Sequence, residues 1–87
     1  MVMKMNKVLV KLYVPLLEEQ YDIWLPLNKR ISSIIKLLTR AVNEFSGGYY
    51  KPTKMPVLYD RLTAIPYTLS INVKEAGIKN GTEIVLI

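Results

Sequence analysis

The side chains that could do covalent chemistry in this sequence are few: Ser32-Ser33, Asp22, Asp60 and the acidic pair Glu18-Glu19. A serine or carboxylate becomes a catalyst when a base or a second acid lies within hydrogen-bond reach, and histidine is the commonest such base. The sequence has no His and no Cys, which excludes the serine triad, thiolate nucleophiles, disulfides and Cys/His zinc sites together. No carboxylate has a partner at a recognisable acid–base or metal-ligand spacing, and Gly47-Gly48 lacks the spacing of a phosphate-cradling loop. The sequence therefore predicts no enzyme: no catalytic residue, no cofactor, no metal and no small-molecule substrate.

Binding is what remains, and charge is its first signal. Residues 29–61 carry Lys29, Arg30, Lys36, Arg40, Lys51, Lys54 and Arg61 against Glu44 and Asp60, seven minus two, which is the entire net charge of +5. The flanking segments each sum to zero, with Lys4, Lys7 and Lys11 against Glu18, Glu19 and Asp22 on one side and Lys74 and Lys79 against Glu75 and Glu83 on the other. Lys29, Ser33, Lys36 and Arg40 fall at helical spacing and predict a basic helix face. Such a face either solvates an exposed helix or steers an acidic partner or a nucleic acid. Tyr49-Tyr50-Lys51 sets aromatics beside a cation, the pairing used for stacking on single-stranded bases, but without the recurring positions of an RNA-binding module. Packing of two tyrosines in a loop is the preferred reading of this pair. A nucleic-acid-binding regulator using 29–61 is therefore the alternative function, ranked below protein binding.

The elements that must position these residues read clearly. At 87 residues, 51% hydrophobic and 22% charged, the chain has room for one core and one domain spanning 1–87, with 1–6 as a leading tail that includes Met1, Met3 and Met5. The basic, apolar start resembles a secretion signal, but Lys11 interrupts it, Pro15 follows and no small-residue cleavage site appears. The longest apolar run, Leu12 to Leu17, is six residues long, against roughly 20 for a bilayer span. Lys7 to Val14 alternates as a half-buried strand, with Val8, Val10, Leu12 and Val14 on one face and Lys7, Leu9, Lys11 and Tyr13 on the other. An acidic loop at Glu18-Glu19 leads to a second strand over Tyr21 to Pro26. Ile31, Ile34, Ile35, Leu38, Ala41, Val42 and Phe45 then recur at helical spacing and predict a helix over 29–46, with Asn28 as N-cap, Leu27 as staple and Gly47-Gly48 as stop. Strands follow at Val57 to Leu62, Tyr67 to Ile71 and Thr82 to Ile87. Asn72 and Glu75 open a helical turn, closed by Gly77, before the last strand. The order is ββαβββ: an α+β mixed sheet with one helix across one face, the first and last strands adjacent at its centre.

This order, with "YDIWLPLNKRISSIIKLL" leading into the helix and "VKEAGIKNGTEIVLI" closing the chain, resembles the ubiquitin-like β-grasp superfamily from Lys7 to Ile87. Within it the sequence is similar to the YukD/EsaB proteins associated with type VII (WXG100) secretion systems of Gram-positive bacteria. The resemblance implies that Val73 and Ile78 are buried in the closing turn, that Ile84 and Leu86 face the helix, and that Val85 and Ile87 face away. It also implies a non-enzymatic, cytoplasmic accessory or regulatory component that works through protein contacts, with a secretion-system membrane component or ATPase as partner. Conjugated modifiers and sulfur carriers of the superfamily present a flexible diglycine tail. The sequence given ends in a predicted strand, so the expectation is a domain that is not conjugated.

The sheet face turned from the helix then gathers Leu9, Tyr13, Trp24, Tyr59, Val85 and Ile87. Read functionally, it is a docking surface or a homodimer face, since aromatic anchors and a contiguous apolar patch mark interfaces. Read plainly, it is ordinary surface apolar area. The basic face of Lys29, Lys36 and Arg40 is the second candidate.

Overall fold

The computed structural model describes residues 6–87. The expected tail of Met1, Met3 and Met5 lies outside the described residues. Strand β1 (Lys7–Val14) and strand β2 (Glu19–Pro26) form an antiparallel hairpin paired from Lys7↔Pro26 to Val14↔Glu19. The hairpin is tighter than expected. Pro15–Leu17 makes one 3₁₀ turn and Glu18 takes a left-handed conformation (φ 54°, ψ 37°), its N–H donating to the Pro15 carbonyl at 3.0 Å. The chain has reversed by Glu19, so pairing begins there rather than at Tyr21. β2 is an edge strand, where a terminal Pro26 costs no ladder bond.

Helix α1 spans Ile31–Phe45. Its start corrects two expectations. Arg30, not Asn28, occupies the cap position and makes no side-chain capping bond, and Lys29 falls in the turn before the helix. The first amides are satisfied from far along the chain: Ile31 N–H donates to the Ile71 carbonyl at 2.9 Å and Ser32 N–H to the Leu69 carbonyl at 3.1 Å. The other end is closed locally. Gly48 N–H returns to the Asn43 carbonyl at 2.8 Å, with Gly47 and Gly48 at φ 65° and 90°, where a Cβ would be strained. Phe45, expected in the buried stripe, is largely exposed, because as the last helical residue it projects beyond the core to meet the Tyr21 ring (centroids 5.3 Å apart).

The sheet is completed by β3 (Leu58–Asp60) and β4 (Glu83–Leu86), in the order β2-β1-β4-β3. The first and last strands lie side by side and parallel, with Leu12 beside Ile84, and β3 pairs antiparallel to β4. The predicted strand at Tyr67 to Ile71 does not form. The chain only touches the edge of β3, through a Tyr59↔Pro66 bridge and a bond from Tyr67 N–H to the Leu58 carbonyl (3.0 Å). The carbonyls of Leu69 and Ile71 then turn to the helix N-terminus, which removes them from any ladder. Among the described residues the strand order is thus ββαββ, within the same α+β mixed sheet.

Asn72 and Glu75 make the expected reciprocal box: Glu75 N–H donates to Asn72 Oδ1 (2.7 Å) and Asn72 N–H to Glu75 Oε1 (3.0 Å). The single turn they open places Val73 and Ile78 in the core. There they join Val8, Val10, Leu12 and Val14 of β1, Ile84 and Leu86 of β4, and Ile31, Ile34, Ile35, Leu38 and Val42 of α1. Each fully buried aliphatic side chain contributes about 1.5–3 kcal/mol relative to exposure. The helix face and the inner sheet face therefore hold the fold together.

Candidate protein-interaction site

Pleating alone decides which side chains reach the face away from α1, and register decides which of them are neighbours. On β1 these are Leu9, Lys11 and Tyr13. On β2 their partners are Trp24, Asp22 and Gln20 in turn. On β4, Glu83 lies beside Lys11 and Val85 beside Tyr13, and on β3 Tyr59 lies opposite Val85. The residues collected from sequence therefore share one face but do not form one patch. Leu9 and Trp24, each partly exposed, pair at one end. Tyr13, Val85 and Tyr59 form a row across three strands at the other, with Ile87 beyond them, 55% exposed.

Between the two apolar groups runs a row of alternating charge, Asp22, Lys11, Glu83 and Arg61. Arg61 follows β3 directly and continues its register, its N–H donating to the Glu83 carbonyl at 3.1 Å. Its guanidinium lies 3.5 Å from a Glu83 carboxylate oxygen, donates to Gln20 Oε1 at 3.1 Å, and sits over the Tyr13 ring at 4.7 Å from the centroid. One side chain thus ties β3 to β1 and β2 across the outer surface. Cation–π contact and opposite-charge cross-strand pairs each contribute up to about 1 kcal/mol in such exposed settings. Val85 is only 4% exposed, a value unlike the others expected here, because Tyr13 and Tyr59 stand on both sides of it. It forms the floor of the face, and its neighbours supply the accessible surface.

Sequence reasoning missed Arg61, Gln20 and Glu83. The alternation that put Lys11 between Leu9 and Tyr13 already implied a charge in the middle of the face. What it could not supply was the register that sets Glu83 and Arg61 in line with it.

The second expected site, the basic helix face, is smaller than foreseen. Lys36 and Arg40 are exposed on α1 together with Ser33, and Lys29 stands in the preceding turn. The tyrosine pair divides: Tyr49 is 83% exposed, whereas Tyr50 is buried, held by Asn43 Nδ2 donating to its carbonyl (2.9 Å) and its own N–H donating to Ser46 Oγ (3.0 Å). Burial pushes the Tyr50 hydroxyl pKa up, and the hydroxyl oxygen has no hydrogen-bond partner among the described residues. One aromatic, not two, is offered for stacking.

Asp60 is engaged at the β3 turn. The Thr63 N–H (3.0 Å) is the largest cause holding its carboxyl below the ordinary range; Leu62 N–H (2.8 Å) and the Tyr67 hydroxyl (3.2 Å) add to it against a desolvation that pushes the other way. All of its bonds are to groups of its own loop, so they order the turn. Among the described residues no group of three or more His, Cys, Asp and Glu side chains could hold a metal ion, and no helix is long and apolar enough to cross a membrane.

No protein-family model and no curated protein sequence matches the chain. Solved structures do. The ubiquitin-like domain of EccD5 from Mycobacterium xenopi superposes with a TM-score of 0.78 at 18% identity, over 93% of this chain and 92% of that one. The ubiquitin-like domain of the type VII secretion protein EccD1 from Mycobacterium tuberculosis gives 0.72 at 17% identity, over 95% and 99%. The fold is ubiquitin-like. A chain of an ESX-5 inner membrane complex matches at 0.79 and 17% identity over 94% of this chain, which spans only 21% of that larger partner in the comparison. At these identities the likeness establishes the ubiquitin-like architecture, and the helix, the parallel central pair β1–β4 and the outer face described above are its parts.

Proposed function

We propose that this ubiquitin-like chain is a non-enzymatic protein-interaction module of a type VII secretion system, a cytosolic accessory or regulatory component that docks a protein through the outer face of its sheet. The observation that carries this reading is the superposition on the EccD5 domain, at a TM-score of 0.78 over nearly the full length of both chains. The resemblance to YukD/EsaB points the same way. The layout of the face supports docking: Tyr59, Tyr13 and Trp24 are aromatic anchors of the type that dominates interface energetics, and the charge row between them gives a partner a defined orientation. A second copy on the same face is the alternative occupant, and mass at dilution separates the two.

The test is retention of secretion-system membrane components and of the secretion ATPase on the immobilised chain. One of them is expected to be retained by the wild type and lost with Trp24→Ala or Tyr59→Ala, while both variants keep the wild-type circular dichroism. If none is retained, the secretion reading is abandoned.

A further inference from the structure

The hairpin leaves one side of β2 open. Leu9 and Lys11 turn their backbone groups toward the closing segment: the Leu9 carbonyl accepts from Gly81 N–H (2.9 Å) and Lys11 N–H donates to the Thr82 carbonyl (3.0 Å). By the alternation of an antiparallel ladder, the N–H and C=O groups of Asp22, the partner of Lys11, and of Gln20 two residues before it therefore point away from the sheet. β2 ends the sheet, so among the described residues no strand meets them. Beside this edge lies an apolar groove. Leu37, Ala41 and Phe45, four residues apart, share one flank of α1, and the Tyr21–Phe45 ring contact sets that flank toward β2. Leu37 and Phe45 are exposed there, and Tyr21 and Ile23, both half-buried, supply the β2 wall. At its Glu19 end the groove opens into a hollow of about 400 Å³, lined by Glu19, Tyr21, Phe45 and Tyr49 among others.

Backbone and charge together decide the occupant. Open N–H and C=O groups along a strand are completed by another extended chain, whose side chains then alternate between the groove and the outer face. A helix has no backbone groups free to do this, and a lipid has none. On the outer face the row of alternating charge, Arg61, Glu83, Lys11 and Asp22, stops at the edge on a carboxylate, so the next place in the row, beside Asp22, calls for a cation. Glu19, exposed on the same strand, adds a second carboxylate, and β2 carries no basic residue. A second copy paired in the register centred on Asp22 would set the two Asp22 carboxylates against each other, a destabilising contact. We propose that the β2 edge binds an extended segment of a protein partner as a fifth strand of the sheet, its apolar side chains in the groove against α1 alternating with a lysine or arginine beside Asp22. The edge is separate from the anchors of the outer face, and the proposal does not depend on the secretion reading.

The probe is the synthetic peptide Lys-Val-Lys-Ile-Lys-Val-Lys, titrated into the ¹⁵N-labelled chain beside the same peptide with Glu in place of each Lys. The lysine peptide is expected to shift the amides of Gln20, Asp22, Leu37 and Phe45, to slow hydrogen exchange at Gln20 and Asp22, and to leave Tyr59 and Ile87 in place. The glutamate peptide is expected to bind about five-fold more weakly or not at all. An added strand turns only every second amide toward β2. Of two lysine peptides N-methylated at alternate amides, one on the Lys and one on the apolar residues, one should therefore lose binding and the other keep it. Asp22→Lys should weaken the lysine peptide about five-fold and remove most of its salt dependence. Phe45→Ser, a change at an exposed ring, should weaken binding at every salt concentration. Equal binding of the lysine and glutamate peptides, equal binding of the two N-methylated peptides, no binding of any, or shifts confined to the sheet face would overturn the proposal. So would shifts at Gln20 and Asp22 on concentrating the chain alone, which would put a second copy on the edge.

Discussion

The two faces of the central strands are built from the same alternating segments, yet they differ in kind. On the inner side Val10, Leu12, Ile84 and Leu86 meet the helix as one unbroken aliphatic layer. On the outer side a step of one residue reaches Leu9, Lys11, Tyr13, Glu83 and Val85, and the layer is cut in two by charge. Apolar residues occur on both faces, so hydrophobicity alone does not distinguish them. Continuity does: one face needs every neighbour to be apolar, and the other needs anchors held apart in a fixed pattern.

The sharpest way to break this contrast is to open the inner layer. Ile84→Ala is expected to cost about 2–5 kcal/mol in equilibrium denaturation, the range for removing a large aliphatic group from a site that cannot collapse. On the outer side, Val85→Ala removes two methyl groups from a residue nearly as buried and should cost only about 1–2 kcal/mol. Val10→Ala is the matched control, since cavity formation in the closed layer adds to the same transfer loss. Equal costs for the two valines would mean that the outer face is sealed like the core, and its reading as a docking surface would fail.

The inner side has a flaw by its own standard, the Tyr50 hydroxyl, which finds no partner among the described residues. Tyr50→Phe should therefore stabilise the chain by about 1 kcal/mol, measured by denaturant midpoint at unchanged slope. A loss of stability instead would show that the hydroxyl has a partner, such as an ordered water.

How much of this contrast is legible in the sequence depends on the distance over which each feature is set. Lys7 to Val14 declares its two faces by alternation, and α1 its buried stripe, because both patterns are local. The Asn72–Glu75 box and the Gly47-Gly48 stop are local too, and both stand where they were expected. The start of α1 was not legible, since its cap consists of carbonyls at 69 and 71 that no nearby residue announces. For the same reason 67–71, which reads as a strand by composition, is diverted from the sheet. The site divides along the same line: Leu9, Tyr13 and Trp24 could be read from alternation and Val85 and Ile87 from the resemblance, whereas the charge row and the separation of Trp24 from Tyr59 follow from a register that only the closed sheet defines.

A smaller effect comes from the edge of the sheet. Asp60 has a folded pKa below its ordinary value of 3.8, chiefly through the Thr63 N–H. Between the two values the unfolded chain binds the proton first. The stability contributed is therefore fully present above the ordinary carboxylate value and is lost as pH falls through the lowered one. Asp60→Asn should flatten this acid limb in urea titrations below pH 4, and an unchanged limb would show that Asp60 binds its proton equally well in the folded and unfolded chain.

Smallest in stability, and most telling for the outer face, is Arg61→Ala. Its partners are exposed, so loss of the Glu83 pair and the Tyr13 stack should cost under about 1 kcal/mol and shrink further with added salt. Its effect on arrangement should be larger: with the guanidinium gone, Tyr13 and Gln20 lose the contact that reaches them from β3. Amide and aromatic shifts of Tyr13, Gln20 and Glu83 should move together while those of Leu9 and Trp24 stay in place. Movement of all five would mean that the charge row does not separate two independent patches, and the face would then act as a single surface.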